Sequence, residues 1–223
     1  MGKTRHPNQI SKRQKKHMKL WIIVIGILFS ISILLSISRQ VFYDREWQLP
    51  AVGNQERLAD YIGIMDFMED KTDSLPGTLS KNEQSHMLDV KILMKRIAAF
   101  STLTWVLFAA SVVLFFYMHS RRYWLYWIQE VLLGMWSVLA GLLVILGVGT
   151  LLFSGFFTVF HEVFFPQGNW EFSQDSALIQ LFSESFFAEG LGRILLGLAI
   201  ALTVIVVLDV AVYLLRRHFS EEA

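Results

Sequence analysis

Four long apolar stretches constrain this 223-residue chain more than any other feature of its sequence. They comprise residues 20–38, 98–118, 131–153 and 191–215 and contain few charged side chains. About 20 consecutive apolar residues are enough for a helix to cross a bilayer. Only 17% of all residues are charged, against about 25% in soluble domains. We therefore expect an all-α integral membrane protein with four transmembrane helices and a small extracellular cap.

The distribution of charge predicts the topology. Four spans place both termini on one side of the membrane, and the segments on that side are 1–19, 119–130 and 216–223. These segments hold eleven Lys and Arg residues against three acids, an excess that is typical of cytoplasmic loops. We therefore expect both termini in the cytoplasm. The remaining segments, 39–97 and 154–190, contain fifteen acids and are predicted to form the cap.

Several classes of chemistry are excluded by residues that the sequence lacks. Cysteine is absent, which excludes disulfides, thiolate metal sites and cysteine nucleophiles. The chain has no glycine-rich phosphate loop, no GxSxG motif and no dinucleotide-binding motif. Its basic N-terminus has no interleaved aromatic residues, so we expect membrane lipid and no nucleic acid as its partner.

An amphipathic helix is predicted in the first cap segment. Leu58, Tyr61, Ile62, Met65 and Met68 recur at helical spacing, with acidic residues between them. We expect this helix to lie against the membrane surface or against the second cap segment, in a structural role.

A second helix is predicted to start just after Ser80 and to lead into the second span. Ser80 and Glu83 fit a capping box, in which each side chain binds a backbone N–H of the other residue. His86, Asp89 and Lys91 follow on the outer turns of this helix. We therefore expect these three side chains at the boundary between membrane and cap.

The second cap segment is rich in aromatic residues around one histidine, His161. It is predicted to continue the third span as a helix until Pro166 and Gly168 end it. An aromatic belt is common at a bilayer interface, so a structural role is the alternative to a binding role. The residues predicted to line a substrate pocket are Phe157, Phe160, Phe164, Phe165, Trp170 and Phe172.

Two histidines on separate helices at one boundary favour acid/base chemistry, because imidazole exchanges protons near neutral pH. His86 and His161 are the candidates for that role. Asp89 lies three residues after His86 on the same helical face and is expected to fix its tautomer. Lys91 either stabilises an oxyanion or, as the favoured alternative, contacts a headgroup or solvent. A metal held by His86, Asp89 and His161 is a less favoured alternative.

A carboxylate inside the fourth span is costly to bury and needs a partner. Asp209 lies two turns from the cytoplasmic end, far along the chain from the histidines. We expect it to pair with Tyr213 or with a basic residue at the interface.

Two motifs carry a resemblance to a known family. Residues 160–172 read FHEVFFPQGNWEF and are followed by ALIQLF at 177–182 and two phenylalanines at 186–187. Residues 86–91 read HMLDVK. Together, and in this order relative to the spans, they resemble the bacterial lipoprotein intramolecular transacylases. The resemblance extends over essentially the whole chain.

The resemblance implies a reaction and a location in the bacterial cell membrane. Such an enzyme acts on a lipoprotein whose N-terminal cysteine carries a diacylglyceryl thioether. It moves the sn-2 acyl chain to the α-amino group of that cysteine and produces the lyso-form lipoprotein. The two catalytic histidines of the family fall at His86 and His161, with the active site at the extracellular face and without a cofactor or a metal.

The roles of the two histidines stay open at this stage. One assignment makes His161 the base towards the amine and His86 the acid or oxyanion donor, but the roles can be exchanged. An acyl-imidazole intermediate is a further alternative. Other functions that the sequence allows are an intermolecular acyltransferase or phospholipase acting on membrane lipid, and a non-catalytic membrane scaffold.

Overall fold

A computed structural model describes residues 12–119 and 123–221, and all regular structure in these ranges is helical. The predicted cytoplasmic segments lie partly outside these ranges, at 1–11, 120–122 and 222–223. The helices are α1 (Lys12–Tyr43), α2 (Arg45–Ala51), α3 (Leu58–Met68), α4 (Lys81–Met118), α5 (Trp124–Leu151), α6 (Phe153–Phe164), α7 (Ala177–Leu181) and α8 (Glu184–Glu221).

Four of these helices, α1, α4, α5 and α8, are long and apolar enough to cross a membrane. The helices α1, α4 and α8 contain the predicted stretches 20–38, 98–118 and 191–215, and α5 contains residues 131–151 of the third stretch. With 38 residues each and a rise of about 1.5 Å per residue, α4 and α8 are longer than the hydrocarbon core of a bilayer, which is about 30 Å thick. Both helices are therefore long enough to extend beyond the hydrocarbon core.

The third span does not continue unbroken into the aromatic segment, contrary to the prediction. The helix α5 ends at Leu151, and Leu152 leaves the helical region with φ −113° and ψ 38° before α6 begins. Glycines at 147 and 149 lower the helix propensity of the last turns of α5. The helix α6 ends at Phe164, since Pro166 disfavours a helical conformation at the residue before it, and Phe165 has φ −132° and ψ 58°.

The chain divides into two compact units. The first comprises Met1–Leu35, Phe100–Ile145 and Leu196–Ala223, and the second comprises Ser36–Ala99 and Leu146–Leu195. In the first unit α1 and α5 pack closely. A Cβ atom added to Gly26 would lie only 2.6 Å from the carbonyl oxygen of Gly134. Small residues permit such close approach of membrane helices.

Asp209 in the first unit has a partner that the sequence analysis did not predict. Its Oδ2 accepts a hydrogen bond of 3.2 Å from the indole N–H of Trp136. The expected pairing with Tyr213 or a basic residue is therefore not the contact that the structure describes. An indole N–H satisfies a carboxylate oxygen inside a span without adding a second charge.

The second unit has an apolar core formed by α3, α7 and the start of α4. Tyr61, Met65 and Met68 of the predicted amphipathic helix are buried there, but Ile62 is 41% exposed. The partners from the second cap segment are Ala177, Leu178 and Leu181. The sequence analysis expected α3 either at the membrane surface or against the second cap segment. The structure describes the second of these.

The capping box at the start of α4 is confirmed. The backbone N–H of Ser80 donates to Glu83 Oε2 over 2.7 Å, and the backbone N–H of Glu83 donates to Ser80 Oγ over 3.3 Å. The second carboxylate oxygen of Glu83 accepts from the backbone N–H of Leu178 over 3.1 Å. Glu83 thus joins the first turn of α4 to α7 within the second unit.

Candidate active site

His86 lies one helical turn after Glu83, on the part of α4 that the capping box anchors. Its side chain is buried, with 8% of the residue exposed. The ring atom Nδ1 has no hydrogen-bond partner among the described residues. A buried polar atom left in this state costs about 1–3 kcal/mol, and a catalytic role is one of the explanations for such an atom in a native protein.

His161 lies on α6 and has a tautomer that follows from its hydrogen bond. Its Nδ1 is 2.8 Å from the carbonyl oxygen of Phe157, one turn earlier on the helix. A carbonyl only accepts, so Nδ1 carries the hydrogen and the neutral ring has its lone pair on Nε2. Burial lowers the pKa of His161, while the hydrogen bond to Phe157 acts in the opposite direction.

The structure brings the two histidines together within the second unit. The centroids of the rings of His86 and His161 are 6.1 Å apart, and the planes are inclined by 28°. Phe165, which is 2% exposed, contacts both rings, with centroid distances of 4.7 Å to His86 and 5.6 Å to His161. Two imidazolium cations at this separation would repel each other in an apolar setting, so at most one ring carries a charge.

Aromatic rings surround both histidines. Phe157, Trp170 and Phe160 contact His161, with centroid distances of 4.0, 4.9 and 5.4 Å. Apolar side chains at these distances limit the access of water to the ring and reduce the local dielectric constant.

The predicted aromatic residues do not all reach the histidines. Phe172 contacts His86 at a centroid distance of 5.6 Å. Phe164 instead packs on Phe160 at 4.8 Å and is 49% exposed. Phe164 therefore belongs to an outer layer of the aromatic group, whereas Phe172 belongs to the inner layer.

Asp89 interacts with two amide side chains of the loop that follows α6. Its Oδ2 accepts from Gln167 Nε2 over 2.8 Å and from Asn169 Nδ2 over 2.7 Å. The amide nitrogen of Asn169 also donates to Ser85 Oγ over 3.3 Å. Asp89 was expected to act directly on His86, but the described hydrogen bonds of its carboxylate go to the loop.

Gln167 and Asn169 are the polar residues near the site that sequence reasoning did not single out. They lie on either side of Gly168, which adopts a positive φ of 75°, a conformation that favours glycine. The signal available in the sequence was a proline followed by glycine between two amide residues, which predicts a tight turn.

Lys91 points away from the histidines towards the end of α3. Its ammonium group donates to the carbonyl oxygen of Phe67 and pairs with Asp70 Oδ1 at 2.8 Å. The same group lies 3.9 Å from the centroid of the Phe67 ring. These contacts give Lys91 a structural partner within the second unit.

The described residues do not assemble the metal site that the sequence left as an alternative. Within 12–119 and 123–221, no group of three or more His, Cys, Asp or Glu residues is arranged to hold a metal ion. The carboxylate of Asp89 is instead bound by the amide side chains of Gln167 and Asn169.

Four apolar helices define an all-helical, multi-pass membrane protein over the described residues, and its second unit contains a buried histidine pair. The family model of the lipoprotein intramolecular transacylase Lit matches residues 17–187 of the chain. Because this match covers most of the sequence, the chain belongs to the lipoprotein intramolecular transacylase family. It is therefore an enzyme of the transacylase class that acts on lipoproteins.

Solved structures share the fold. The membrane-integral lipoprotein intramolecular transacylase Lit from Bacillus cereus superposes with a TM-score of 0.73 at 18% identity, over 92% of this chain and all of that one. Two variants of that protein, with one histidine replaced by alanine or by arginine, give TM-scores of 0.66 and 0.65 at 17% identity. They match 92% of this chain and 98% and 96% of theirs. No curated protein sequence matches the chain.

Proposed function

We propose that the enzyme transfers the sn-2 acyl chain of a diacylglyceryl lipoprotein to the α-amino group of its N-terminal cysteine, with His86 and His161 as the catalytic residues. The observation that carries this proposal is the buried, nearly parallel pair of imidazoles inside a layer of aromatic rings. The amine nitrogen attacks the ester carbonyl carbon and the bond to the glyceryl oxygen breaks. Starting from the neutral amine, one proton leaves the nitrogen and one reaches the glyceryl oxygen, so the reaction is an isomerisation. An α-ammonium group first gives up one further proton, which passes through His161 to solvent.

His161 is the base in this proposal. Its Nδ1 hydrogen is donated to the Phe157 carbonyl, which leaves Nε2 as the proton acceptor. Burial favours the neutral ring and so keeps that acceptor available near neutral pH. An α-ammonium group becomes nucleophilic only after it loses a proton, and a positioned imidazole accelerates such a step by about 10²–10⁴-fold.

His86 acts on the oxyanion of the intermediate and on the glyceryl oxygen that leaves. The ring lies across from His161, so the two imidazoles can contact opposite ends of a reacting group held between them. We assign to His86 the stabilisation of the tetrahedral intermediate and the protonation of the glyceryl oxygen. Removing one hydrogen-bond donor to such an oxyanion raises the activation free energy by about 3–4 kcal/mol.

The aromatic layer has two roles in this reaction. Attack of the amine on the sn-2 ester closes a ring of about eight atoms, which is entropically unfavourable unless the reacting ends are held close together. Phe157, Phe160, Phe165, Trp170 and Phe172 contact one or both histidines and restrict the space available to the substrate. The same rings exclude water, which would otherwise hydrolyse the ester.

The proposed location follows from the charge distribution. Both termini and the segments 1–19, 119–130 and 216–223 lie in the cytoplasm. The segments 39–97 and 154–190 form the extracellular cap with the active site. Acyl chains enter from the bilayer, the lipoprotein chain stays outside, and neither a cofactor nor a metal takes part.

Mass spectrometry of a lipopeptide tests the reaction. The chain is expressed in a bacterium whose lipoproteins stop at the diacylglyceryl stage, and the N-terminal peptide of one lipoprotein is fragmented. The expected product has an unchanged total mass, a blocked amine and a monoacyl thioglycerol fragment. A gain of one acyl chain would indicate an intermolecular donor, and an unmodified diacyl peptide would indicate a scaffold. Either result contradicts the proposal.

Histidine variants test the assigned residues. His86→Gln and His161→Gln are expected to lose at least about 100-fold in activity, in keeping with the loss of a general acid or base. The matched control is His218→Gln, since His218 lies at the end of α8 in the first unit. Full activity of either active-site variant at equal expression would refute the catalytic assignment.

A further inference from the structure

The carboxylate of Asp89 has one oxygen that is held by hydrogen bonds and one that is not. Oδ2 accepts from Gln167 Nε2 over 2.8 Å and from Asn169 Nδ2 over 2.7 Å. Within 12–119 and 123–221, no residue donates a hydrogen bond to Oδ1 and no cation forms an ion pair with Asp89. The side chain is half-buried. Oδ1 is therefore a positioned acceptor whose negative charge has no described counter-ion.

This acceptor lies beside the histidine pair. Asp89 follows His86 by three residues on α4, and such a spacing places two Cβ atoms about 5–6 Å apart on one face of a helix. The loop after α6 connects Asp89 to the second histidine. Asn169 binds Asp89, and the next residue, Trp170, contacts the His161 ring at a centroid distance of 4.9 Å. Both the helix and the loop therefore place Asp89 at the edge of the site.

The other carboxylates near this site in the sequence do not share these properties. Glu83 uses both of its oxygens for backbone N–H groups. Glu162 and Glu171 are exposed, and no described hydrogen bond or ion pair holds either of them in one direction. Of these four acids, Asp89 is the one that combines a fixed orientation, a free oxygen and a position next to a histidine.

The substrate of the proposed reaction brings a cation to this place. An α-amino group has a pKa of about 7.7–8.0 and is therefore mainly an ammonium at pH 7. An ammonium has three N–H donors, so one can bind Asp89 Oδ1 while another faces His161 Nε2. After one proton has left, the neutral amine still donates to Oδ1. Its lone pair is then free to attack the ester carbonyl.

We infer that Asp89 binds the α-ammonium group of the lipoprotein through Oδ1 and thereby selects substrates whose N-terminal cysteine has a free amine. This inference rests on the proposed function, since it names the residue that recognises the amine of the same substrate. The N-acylated product has an uncharged amide with one N–H. The product therefore loses the charged contact that held the substrate, which favours its release.

The binding of two unreactive lipopeptides tests the inference. In both, ethers replace the acyl esters, so no acyl chain can move, and in the second a hydrogen atom also replaces the α-amine. The full-length enzyme in detergent at pH 7 should bind the amine form about 10- to 100-fold more tightly, as expected for a hydrogen bond to a charged group. Equal dissociation constants for the two lipopeptides would overturn the inference.

Asp89→Asn assigns the preference to one residue. The carbonyl oxygen of the introduced amide can still accept from Gln167 and Asn169, but its NH2 group then faces the ammonium. The preference for the amine form should fall below about twofold. For the reactive diester lipopeptide, KM should rise by about 10- to 100-fold while kcat changes much less.

Glu171→Gln is the matched control. It makes the same change of charge two residues after Asn169, on a side chain that is exposed. This variant should keep both the preference for the amine form and the KM of the wild type. A preference that persists in Asp89→Asn, or that disappears in both variants, would overturn the inference.

Two further measurements make every outcome decisive. Should Asp89→Asn fail to accumulate in the membrane, Asp89→Ser replaces it, and failure of both overturns the inference in favour of a role in holding the loop. Acyl transfer by the wild type is measured in parallel with the diester lipopeptide. A wild type that transfers the acyl chain but binds both ether lipopeptides equally refutes the ammonium site alone. A wild type that leaves the acyl chain in place refutes the proposed function.

Discussion

The imidazole rings of His86 and His161 lie almost parallel, with their centroids 6.1 Å apart, although they come from different helices and from distant parts of the chain. The polar atoms near each ring differ. His161 Nδ1 donates to a backbone carbonyl of its own helix, whereas His86 Nδ1 has no hydrogen-bond partner among the described residues. Two chemically identical side chains thus receive different environments, which is how acid and base roles are divided within one site.

Activity should fall on the acid side below the ordinary pKa of histidine. Burial lowers the pKa of His161 from 6.5, and the base must be neutral to accept a proton. The neutral form therefore persists as the pH falls through 6.5, and activity is lost only when the pH reaches the lower pKa of the folded protein. A pH profile of kcat/KM in membrane vesicles measures this limb. An acid limb centred above pH 6.5 would contradict the assignment of His161 as a buried base.

Phe165→Ala should convert part of the transacylation into hydrolysis. Phe165 is buried and contacts both histidines, so its removal opens the site to water. The substitution should also lower the free energy of unfolding by about 3–5 kcal/mol. The ratio of free fatty acid to N-acylated lipopeptide is the measurement. Phe165→Leu, which keeps most of the volume, should release less fatty acid.

Phe164→Ala is the control for this experiment. Phe164 is the neighbouring phenylalanine, but it is half exposed and packs on Phe160 rather than on a histidine. Its removal should leave the ratio unchanged. An equal release of fatty acid from both alanine variants would show that Phe165 has no particular role in excluding water.

Gly53→Ala should destabilise the second unit. A Cβ atom at Gly53 would lie 2.6 Å from the carbonyl oxygen of Gln180, and Gly53 donates its N–H to the carbonyl oxygen of Leu181 over 3.0 Å. Since the obstacle is backbone, the α7 segment must move, at a cost of about 1–3 kcal/mol. Gly77→Ala is the control, because a Cβ atom added to Gly77 would meet nothing within 4 Å. Thermal unfolding in detergent should show a lower midpoint for Gly53→Ala alone.

Much of this architecture is predictable from local sequence because the relevant signals act over a few residues. Apolar run length predicts the four spanning helices, and the spacing of Ser80 and Glu83 predicts the start of α4. The proximity of His86 and His161 was predicted from two motifs at one boundary. That prediction is confirmed as a geometry, while the catalytic roles remain a proposal.

Other features depended on contacts between distant segments and were missed for that reason. Asp89 was expected at His86, but its carboxylate binds the loop residues Gln167 and Asn169, about 80 positions later in the chain. Lys91 was considered for an oxyanion, yet Asp70 at the end of α3 provides a nearby opposite charge. Neither partner is visible from helical periodicity, because each depends on how a turn returns the chain to α4.

Glu83→Gln should weaken the connection between α4 and α7 more than the loss of charge alone suggests. Glu83 uses one carboxylate oxygen for the N–H of Ser80 and the other for the N–H of Leu178. A glutamine has one carbonyl oxygen, so one of these N–H groups would face an amide NH2 and remain unpaired, at a cost of about 1–3 kcal/mol. The expected result is a lower unfolding midpoint together with reduced activity, because His86 lies one turn further along the same helix. Glu162→Gln provides the control, since Glu162 is exposed on α6. Equal midpoints for the two glutamine variants would mean that the bond to Leu178 does not hold α7 in place.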